Sequence, residues 1–440
     1  MYFWVRIMNK KWRVLIFPAG TEIAMEIFQA LRYAKEAELY AGTSVPCHAE
    51  MLYGEEKYID DMPFISSADF IERLNDIVSA NEIDFIYPAY DAVQLYLMEH
   101  EKEIKAKIVS APPETVAICR SKAKTYEFFA GENFVPRVFR KLDDVESFPV
   151  FAKPKVGQGS EGVRLIEGID PEAQAIADDD SYLLCEYLPG EEYTVDCFTD
   201  EKGKLRVASM RSRERIRNGI SARSHILPQN DEAQSIAEKI NSRLSFCGAW
   251  FFQLKRDSHG KYKLLEISAR VPGTMGATRH AGINFPLLTL YVLSNMPVEL
   301  IRNNYGVLDE RALASRYKFE PLSYTDVYVD YDDTLIIGGK VNTLLMRFLY
   351  QAINDGKRLH LLSRHTGDIH SDMKSHRLSE GMFESIEVMA RHEKKSDYIK
   401  SGSAIFIDDS FAERKEVLLE KGIPVFDLDM IDGLIDDRSV

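Results

Sequence analysis

Two stretches of the chain set residues able to handle phosphate at short, regular spacing. The first, Val150–Val163, reads VFAKPKVGQGSEGV: an apolar run delivers Lys153, and Gly157, Gly159 and Gly162 follow, with Ser160 among them. Glycines let backbone N–H groups approach phosphate oxygens unobstructed, and a lysine adds a compact positive charge. Alone, such a loop is as readily the tip of a surface hairpin. The second stretch, Thr325–Leu335, reads TDVYVDYDDTL. An apolar run ends at Asp330, and Asp332 and Thr334 follow at alternate positions. Two acids this close can divide labour, one attacking and the other moving protons.

Both stretches have company. Lys122 opens a helix about thirty residues before the glycine loop. CEYLPGEEYTVD, residues 185–196, is a strand, a tight turn and a strand, with acids placed to take ribose hydroxyls. Arg211, Arg213, Arg215, Arg217 and Arg223 are concentrated in a chain of net charge −14, and arginine forks suit phosphate and carboxylate groups. In LEISAR, Glu266 and Ser268 alternate onto one strand face that can hold Mg²⁺ against a triphosphate, with Gln253 on a neighbouring strand and Arg270 just beyond. After the paired acids, HLLS ends in Ser363 and AIFI ends in Asp408 and Asp409, with Lys394 and Lys395 just upstream. In a parallel α/β sheet, C-terminal strand ends converge on one crevice.

The elements that must position these groups fall into three parts, 1–115, 116–320 and 324–440. In the first, Arg13–Phe17 and Ile83–Tyr87 read as strands and Glu22–Ala34 and Phe70–Val78 as helices, an α/β alternation; Gly20 is not part of a GxGxxG fingerprint. The second is richer in strands, with hairpin punctuation at Asp200–Gly203 and Asp257–Gly260, and reads as α+β. The third returns to alternation: strands at Asp326–Val329, Leu359–Leu362, Ala404–Ile407 and Val425–Leu428, helices at Asn342–Asn354 and Phe411–Lys421. Hydrophobic residues at 45% and charged residues at 28% make a globular balance, and the negative charge argues against nucleic-acid or membrane surfaces. Five scattered cysteines without a CxxC fit reduced thiols, and with no apolar run of spanning length the expected location is the cytoplasm.

The ordered set Lys122, KPKVGQGSEGV, EYLPGEEYTVD, Gln253 and LEISAR resembles the ATP-grasp superfamily, nearest its carboxylate–amine ligases and the large subunit of carbamoyl-phosphate synthetase, over roughly 1–320. The resemblance implies a Rossmann-like pre-ATP-grasp domain ahead of an ATP-grasp fold. It implies nucleotide phosphates at Lys122, Lys153 and the glycine loop, adenine at Glu186, Tyr187 and Leu188, and ribose at Glu192 or Glu191. Gln253, Glu266 and Ser268 are the implied metal ligands, although the family usually has Asn at the last of these. Arg213 and Arg270 would steady the γ-phosphate or the acyl phosphate. Residues 324–435 resemble the haloacid dehalogenase (HAD) superfamily, in a capless Rossmannoid form. Only about 28 residues separate Thr334 from Ser363, and about 31 separate Ser363 from Lys395, too few for a cap domain. That resemblance implies Asp330 as nucleophile, Asp332 as general acid and base, Ser363 on the phosphoryl oxygens, Lys395 or Lys394 for charge, and Mg²⁺ at Asp330, Asp332 and Asp409, with or without Asp408. The expected cofactors are ATP and Mg²⁺, with Mn²⁺ as a substitute. The expected partners are a carboxylate, an amine, a phosphorylated small molecule and a second copy of the chain. The alternative keeps the ligase and makes the last part a regulatory module.

Overall fold

Strands covered on both faces must be apolar throughout rather than alternate. Val14, Leu15 and Ile16 obey this and are fully buried. In the computed structural model, which describes residues 10–157, 161–217, 219–317, 319 and 321–438, they lie in the middle of a parallel sheet. Its strands are β1 (Trp12–Phe17), β2 (Ala37–Gly42), β3 (Tyr58–Ile59), β4 (Phe85–Pro88) and β5 (Lys107–Ile108), ordered β3-β2-β1-β4-β5. Helices α1 (Glu22–Leu31), α2 (Phe70–Ala80), α3 (Asp91–Glu99) and α4 (Pro113–Arg120) accompany them. The strand expected from Ile83 begins instead at Phe85 and takes in Pro88. Proline has no amide to give, and the next N–H, that of Ala89, bonds the Phe17 carbonyl at 2.7 Å. Chain order reverses between β1 and β4, so the loops that open α1 and α3 meet at one crevice.

Two antiparallel sheets follow. After α5 (Lys122–Phe128) come β6 (Val138–Phe139), β7 (Val150–Pro154), β8 (Arg164–Ile166), α6 (Pro171–Asp178) and β9 (Tyr182–Glu186), with the strands ordered β6-β9-β7-β8. Then come β10 (Glu192–Thr199), β11 (Leu205–Ser212), the hairpin β12 (Arg215–Arg217) and β13 (Ile220–His225), α7 (Asp231–Arg243), β14 (Gly248–Arg256) and β15 (Tyr262–Ser268). The main sheet runs β11-β10-β14-β15. Helices α8 (Gly276–His280) and α9 (Phe285–Leu293) precede β16 (Leu308–Glu310), which completes a small sheet, β12-β13-β16. Both expected hairpin turns form, each nucleated by an aspartate: Asp200 accepts from the amides of Lys202 and Lys204, and Asp257 from those of His259 and Lys261. Gly248 starts β14 at φ 76°, where a Cβ would lie 2.3 Å from Thr289 Cγ2, so only glycine brings the strand against α9.

These elements lie in one compact unit, Met1–Leu313, and the expected boundary near residue 115 falls inside it. The second unit, Ala314–Val440, holds another parallel sheet. Its elements are β17 (Asp326–Val329), the hairpin β18 (Ile336–Ile337) and β19 (Lys340–Val341), α10 (Thr343–Asn354), β20 (Arg358–Ser363), α11 (Ile369–Ser375), β21 (Ser385–Val388), α12 (Lys395–Tyr398), β22 (Ala404–Ile407), α13 (Phe411–Lys421) and β23 (Val425–Phe426). The order β21-β20-β17-β22-β23 repeats the first sheet's reversal, here between β17 and β22. Asn342, expected as the first helical residue, is the N-cap of α10, its side chain accepting from Leu345 N–H. No helix among the described residues is long and apolar enough to cross a membrane.

Candidate active sites

Directly paired residues of an antiparallel sheet point to the same face. On the main sheet of the first unit this aligns three rows. Glu192 pairs with Lys255. Arg211, Thr194, Gln253 and Glu266 form the next row across β11, β10, β14 and β15. Ser209, Asp196, Phe251 and Ser268 form the third. Two cavities sit against this face.

The first cavity, about 950 Å³ with its mouth included, is lined by Lys153, Glu186, Tyr187, Leu188 and Glu192. Lys153 is buried, donates to Tyr126 Oη at 2.5 Å, and lies 4.8 Å from that ring's centre. Burial holds its ammonium below the usual lysine range, with Lys122 adding to the effect. The Glu186 carboxylate accepts from the Arg137 amide at 2.9 Å. Glu192 meets Lys255 at 3.0 Å and Arg213 at 3.3 Å, whereas Glu191 accepts from the Tyr193 hydroxyl at 2.5 Å. Of the glycine loop, Gly157 presents its carbonyl to Arg120 and Lys122, both at 3.3 Å. Gly162 holds φ 74°, with Pro154 Cγ 3.0 Å from where a Cβ would be. Gly159 and Ser160 lie outside the described residues.

The second cavity, about 1250 Å³, shares Lys122, Gly157, Arg213, Gln253 and Glu266 with the first. From there it reaches Thr21, Glu22, Tyr90 and Asp91, at the crevice between β1 and β4. Lys122 Nζ lies 3.3 Å from Glu266. Arg213 is held below the usual arginine range by burial, although Glu192 opposes this. Arg270 forks onto Asp91 at 2.8 and 2.7 Å, and the Ser268 hydroxyl donates to the same carboxylate at 3.4 Å. Burial works against the Asp91 charge, but Arg270, Arg120 and Ser268 outweigh it and keep the carboxyl below its usual range. The arginine-rich stretch does not act as one cluster. Arg211 and Arg213 line the cavity, while the exposed Arg215 and the half-buried Arg223 converge on Glu310, because β12 pairs with β13, and β13 with β16, rather than with the main sheet. Asp91 and Thr194 were missed from the sequence. Asp91 had a signal, since it opens a helix just after a strand; Thr194 had none, because its place depends on strand register.

In the second unit, β17, β20 and β22 end side by side. Lys395 Nζ is buried and bonds Asp330 and Asp408, both at 2.6 Å. Lys394 is exposed and pairs with Glu420, so of the two lysines Lys395 is the one in the cluster. Burial raises Asp330 to about 6; Lys395 opposes and Asp408 reinforces the rise. Asp408 is raised by burial too, against the pull of Lys395. Asp333 takes φ 57°, and the turn sends Thr334 back to donate to Asp409 at 3.2 Å. Among the described residues, Asp330, Asp408 and Asp409 form a group whose ligand oxygens all lie within 4.8 Å of one another, as a single ion requires. The Asp332 side chain lies outside this group, facing Ser363 Oγ at 3.4 Å and His365 Nδ1 at 3.0 Å. His365 was not anticipated, because a histidine two residues past a strand end carries no signal of its own.

The family described as ATP-grasp in the biosynthetic pathway with Ter operon matches residues 178–310. Biotin carboxylase from Campylobacter jejuni, in a β,γ-ATP complex, superposes with a TM-score of 0.58 at 16% identity over 68% of this chain and 75% of that one. The first unit has an ATP-grasp-type fold. The biotin carboxylase domain dimer of Hydrogenobacter thermophilus 2-oxoglutarate carboxylase, in complex with MgADP, ADP and bicarbonate, gives 0.54 at 16% identity over 67% and 73%. L-amino acid ligase from Bacillus licheniformis gives 0.50 at 18% identity over 64% and 74%. No curated protein matches this sequence.

Proposed function

We propose that the first unit is an ATP-dependent ligase joining a carboxylate to an amine, and that the second is a HAD-type phosphatase. The ligase reading is carried by the junction of the two cavities at Lys122, Arg213, Gln253 and Glu266. ATP in the first cavity, its ribose at Glu192 and its adenine against Glu186–Leu188, would present its γ-phosphate there. A carboxylate oxygen attacks that phosphorus and ADP leaves. The amine then attacks the acyl carbon, loses a proton, and phosphate departs. Lys122 and Arg213 offset charge gathering on the transferring group. Gln253 and Glu266, adjacent on one sheet face, fit a Mg²⁺ held against the phosphates.

The phosphatase reading is carried by Lys395 between Asp330 and Asp408. An Asp330 oxygen attacks the phosphorus, and the departing alkoxide takes a proton from Asp332. Water then cleaves the aspartyl-phosphate, giving its proton back to Asp332. Ser363 and Lys395 hold the phosphoryl oxygens. The three-carboxylate group fits Mg²⁺, which would supply charge compensation there. His365, bonded to Asp332, sets that carboxyl's orientation.

Two assays test the pair. ADP release is screened across carboxylic acids combined with amino acids, and release above the ATP-only rate with some pair is expected. Hydrolysis of p-nitrophenyl phosphate with Mg²⁺ is compared between wild type and Asp330→Asn. Equal phosphate release from both would sink the phosphatase and favour a regulatory module.

A further inference from the structure

The second cavity contains two buried donors with nothing to bond. Arg211 and Thr194 are each 1% exposed. Arg211 spends Nε and Nη2 on Asp196, at 2.9 and 3.2 Å, and its Nη1 has no partner among the described residues. Thr194 Oγ1 likewise has none. Both residues line the cavity and pair directly across β10 and β11, which sets their Cβ atoms about 5 Å apart. Unpaired buried polar groups are costly, and two neighbours facing one cavity are best explained by what enters it. We propose that Arg211 Nη1 and Thr194 Oγ1 anchor a carboxylate of the substrate that fills this cavity.

Charge selects the ligand class. Asp196 neutralises Arg211, and Thr278 donates to the same carboxylate at 2.7 Å. The site thus offers directed donors with little net charge, which suits a carboxylate's two oxygens. A phosphate dianion would arrive without a compensating charge. Position says which carboxylate. Arg211 stands three strands from Glu266 along one row, with Thr194 and Gln253 between, or about 14 Å at the usual strand spacing. The anchored group, two strands from Glu266 at Thr194 and three at Arg211, is therefore a recognition carboxylate distinct from the one phosphorylated near Glu266. It belongs either to an amino acid supplying the amine or to the far end of a dicarboxylic acid. This assignment rests on the ligase reading for the reacting end only.

The test is binding to the full chain with Mg²⁺ and ADP present, read as a rise in Tm and by calorimetry. The probes are the common L-amino acids, their α-amides, and malonate, succinate and glutarate with their monoamides. At least one acid is expected to bind while its amide does not; the two arms identify the source of the carboxylate. Thr194→Val, isosteric and lacking only the hydroxyl, should raise that acid's Kd at least tenfold and leave the Kd for ATP within twofold. Arg211→Lys should do the same or more, and Thr194→Val keeps the test decisive if Arg211→Lys fails to fold. No binding by any probe, equal binding of acid and amide, or an unchanged Kd in Thr194→Val would overturn the anchor. Because binding needs no turnover, absent ADP release with intact acid binding would sink the ligase reading alone.

Discussion

Replacing Lys395 with methionine tests how the second unit tolerates its buried acids. Each 2.6 Å contact from Nζ, to Asp330 and to Asp408, carries about 6 kcal/mol of attraction at an effective dielectric of about 20. Desolvation offsets most of that while the cluster is whole, but removing the cation strands two carboxylates, and breaking a buried pair this way typically costs about 3–5 kcal/mol. Asp330, already raised to about 6, would take up a proton near neutrality and keep the loss inside that range. The three tryptophans, Trp4, Trp12 and Trp250, all precede the second unit, so tryptophan fluorescence is blind to it. Hydrogen exchange read by mass spectrometry on peptides covering β17 and β22 is the suitable assay. Exchange there should quicken on the order of a hundred- to several-thousand-fold, with peptides of the first unit unchanged. Millimolar Mg²⁺ should restore part of the protection, since a dication replaces the lost charge. Lys394→Met, which breaks only the solvent-screened pair with Glu420, should leave exchange in these peptides near the wild-type rate. Unchanged exchange in Lys395→Met, or equal effects from the two lysines, would refute the reasoning.

Two further outcomes follow from the geometry. Asp326 is buried, but its bonds to Arg358, Thr325 and His360 outweigh burial and hold its carboxyl well below the usual range. A depressed folded-state pKa stabilises above the unfolded value of about 4 and is lost as pH falls below it; the gap in urea midpoint between wild type and Asp326→Asn, followed by pulse proteolysis, should be full at pH 7 and shrink below about pH 4, and a pH-independent gap would contradict this. In the first unit, Glu192→Gln should weaken ATP binding at least about tenfold by calorimetry, the worth of a bond to a charged group. Glu191→Gln should change it less than twofold, because that carboxylate serves Tyr193.

Legibility from sequence followed burial. DVYV and AIFI are covered on both faces, so their apolar runs announced strands whose bounds the structure reproduces. The long β10, β11, β14 and β15 were visible as strand-rich sequence punctuated by Asp-led turns, and Asn342 was misread by one place because a cap looks like a first helical residue. Chemistry separated by a few residues was likewise visible, as in the acids after β17, because a strand end and a tight turn leave them little freedom. Groups brought together by register were not. Lys394 and Lys395 are indistinguishable in one dimension, and the choice falls to Lys395 because α12 begins there and turns that side chain inward.

The chain's own sequence determined the residue types at both sites and the two alternations of strand and helix, since local spacing and apolar runs are properties of consecutive residues. Tertiary structure alone decided that Asp408 rather than the Asp332 side chain joins Asp330 and Asp409, that Arg270 is spent on Asp91, and that the arginine stretch splits into two groups. It also decided that Arg211 and Thr194 stand side by side with donors to spare. The physical reason is the same in each case: which side chains meet across a sheet is set by strand order and register, and these are fixed only when the whole face is buried.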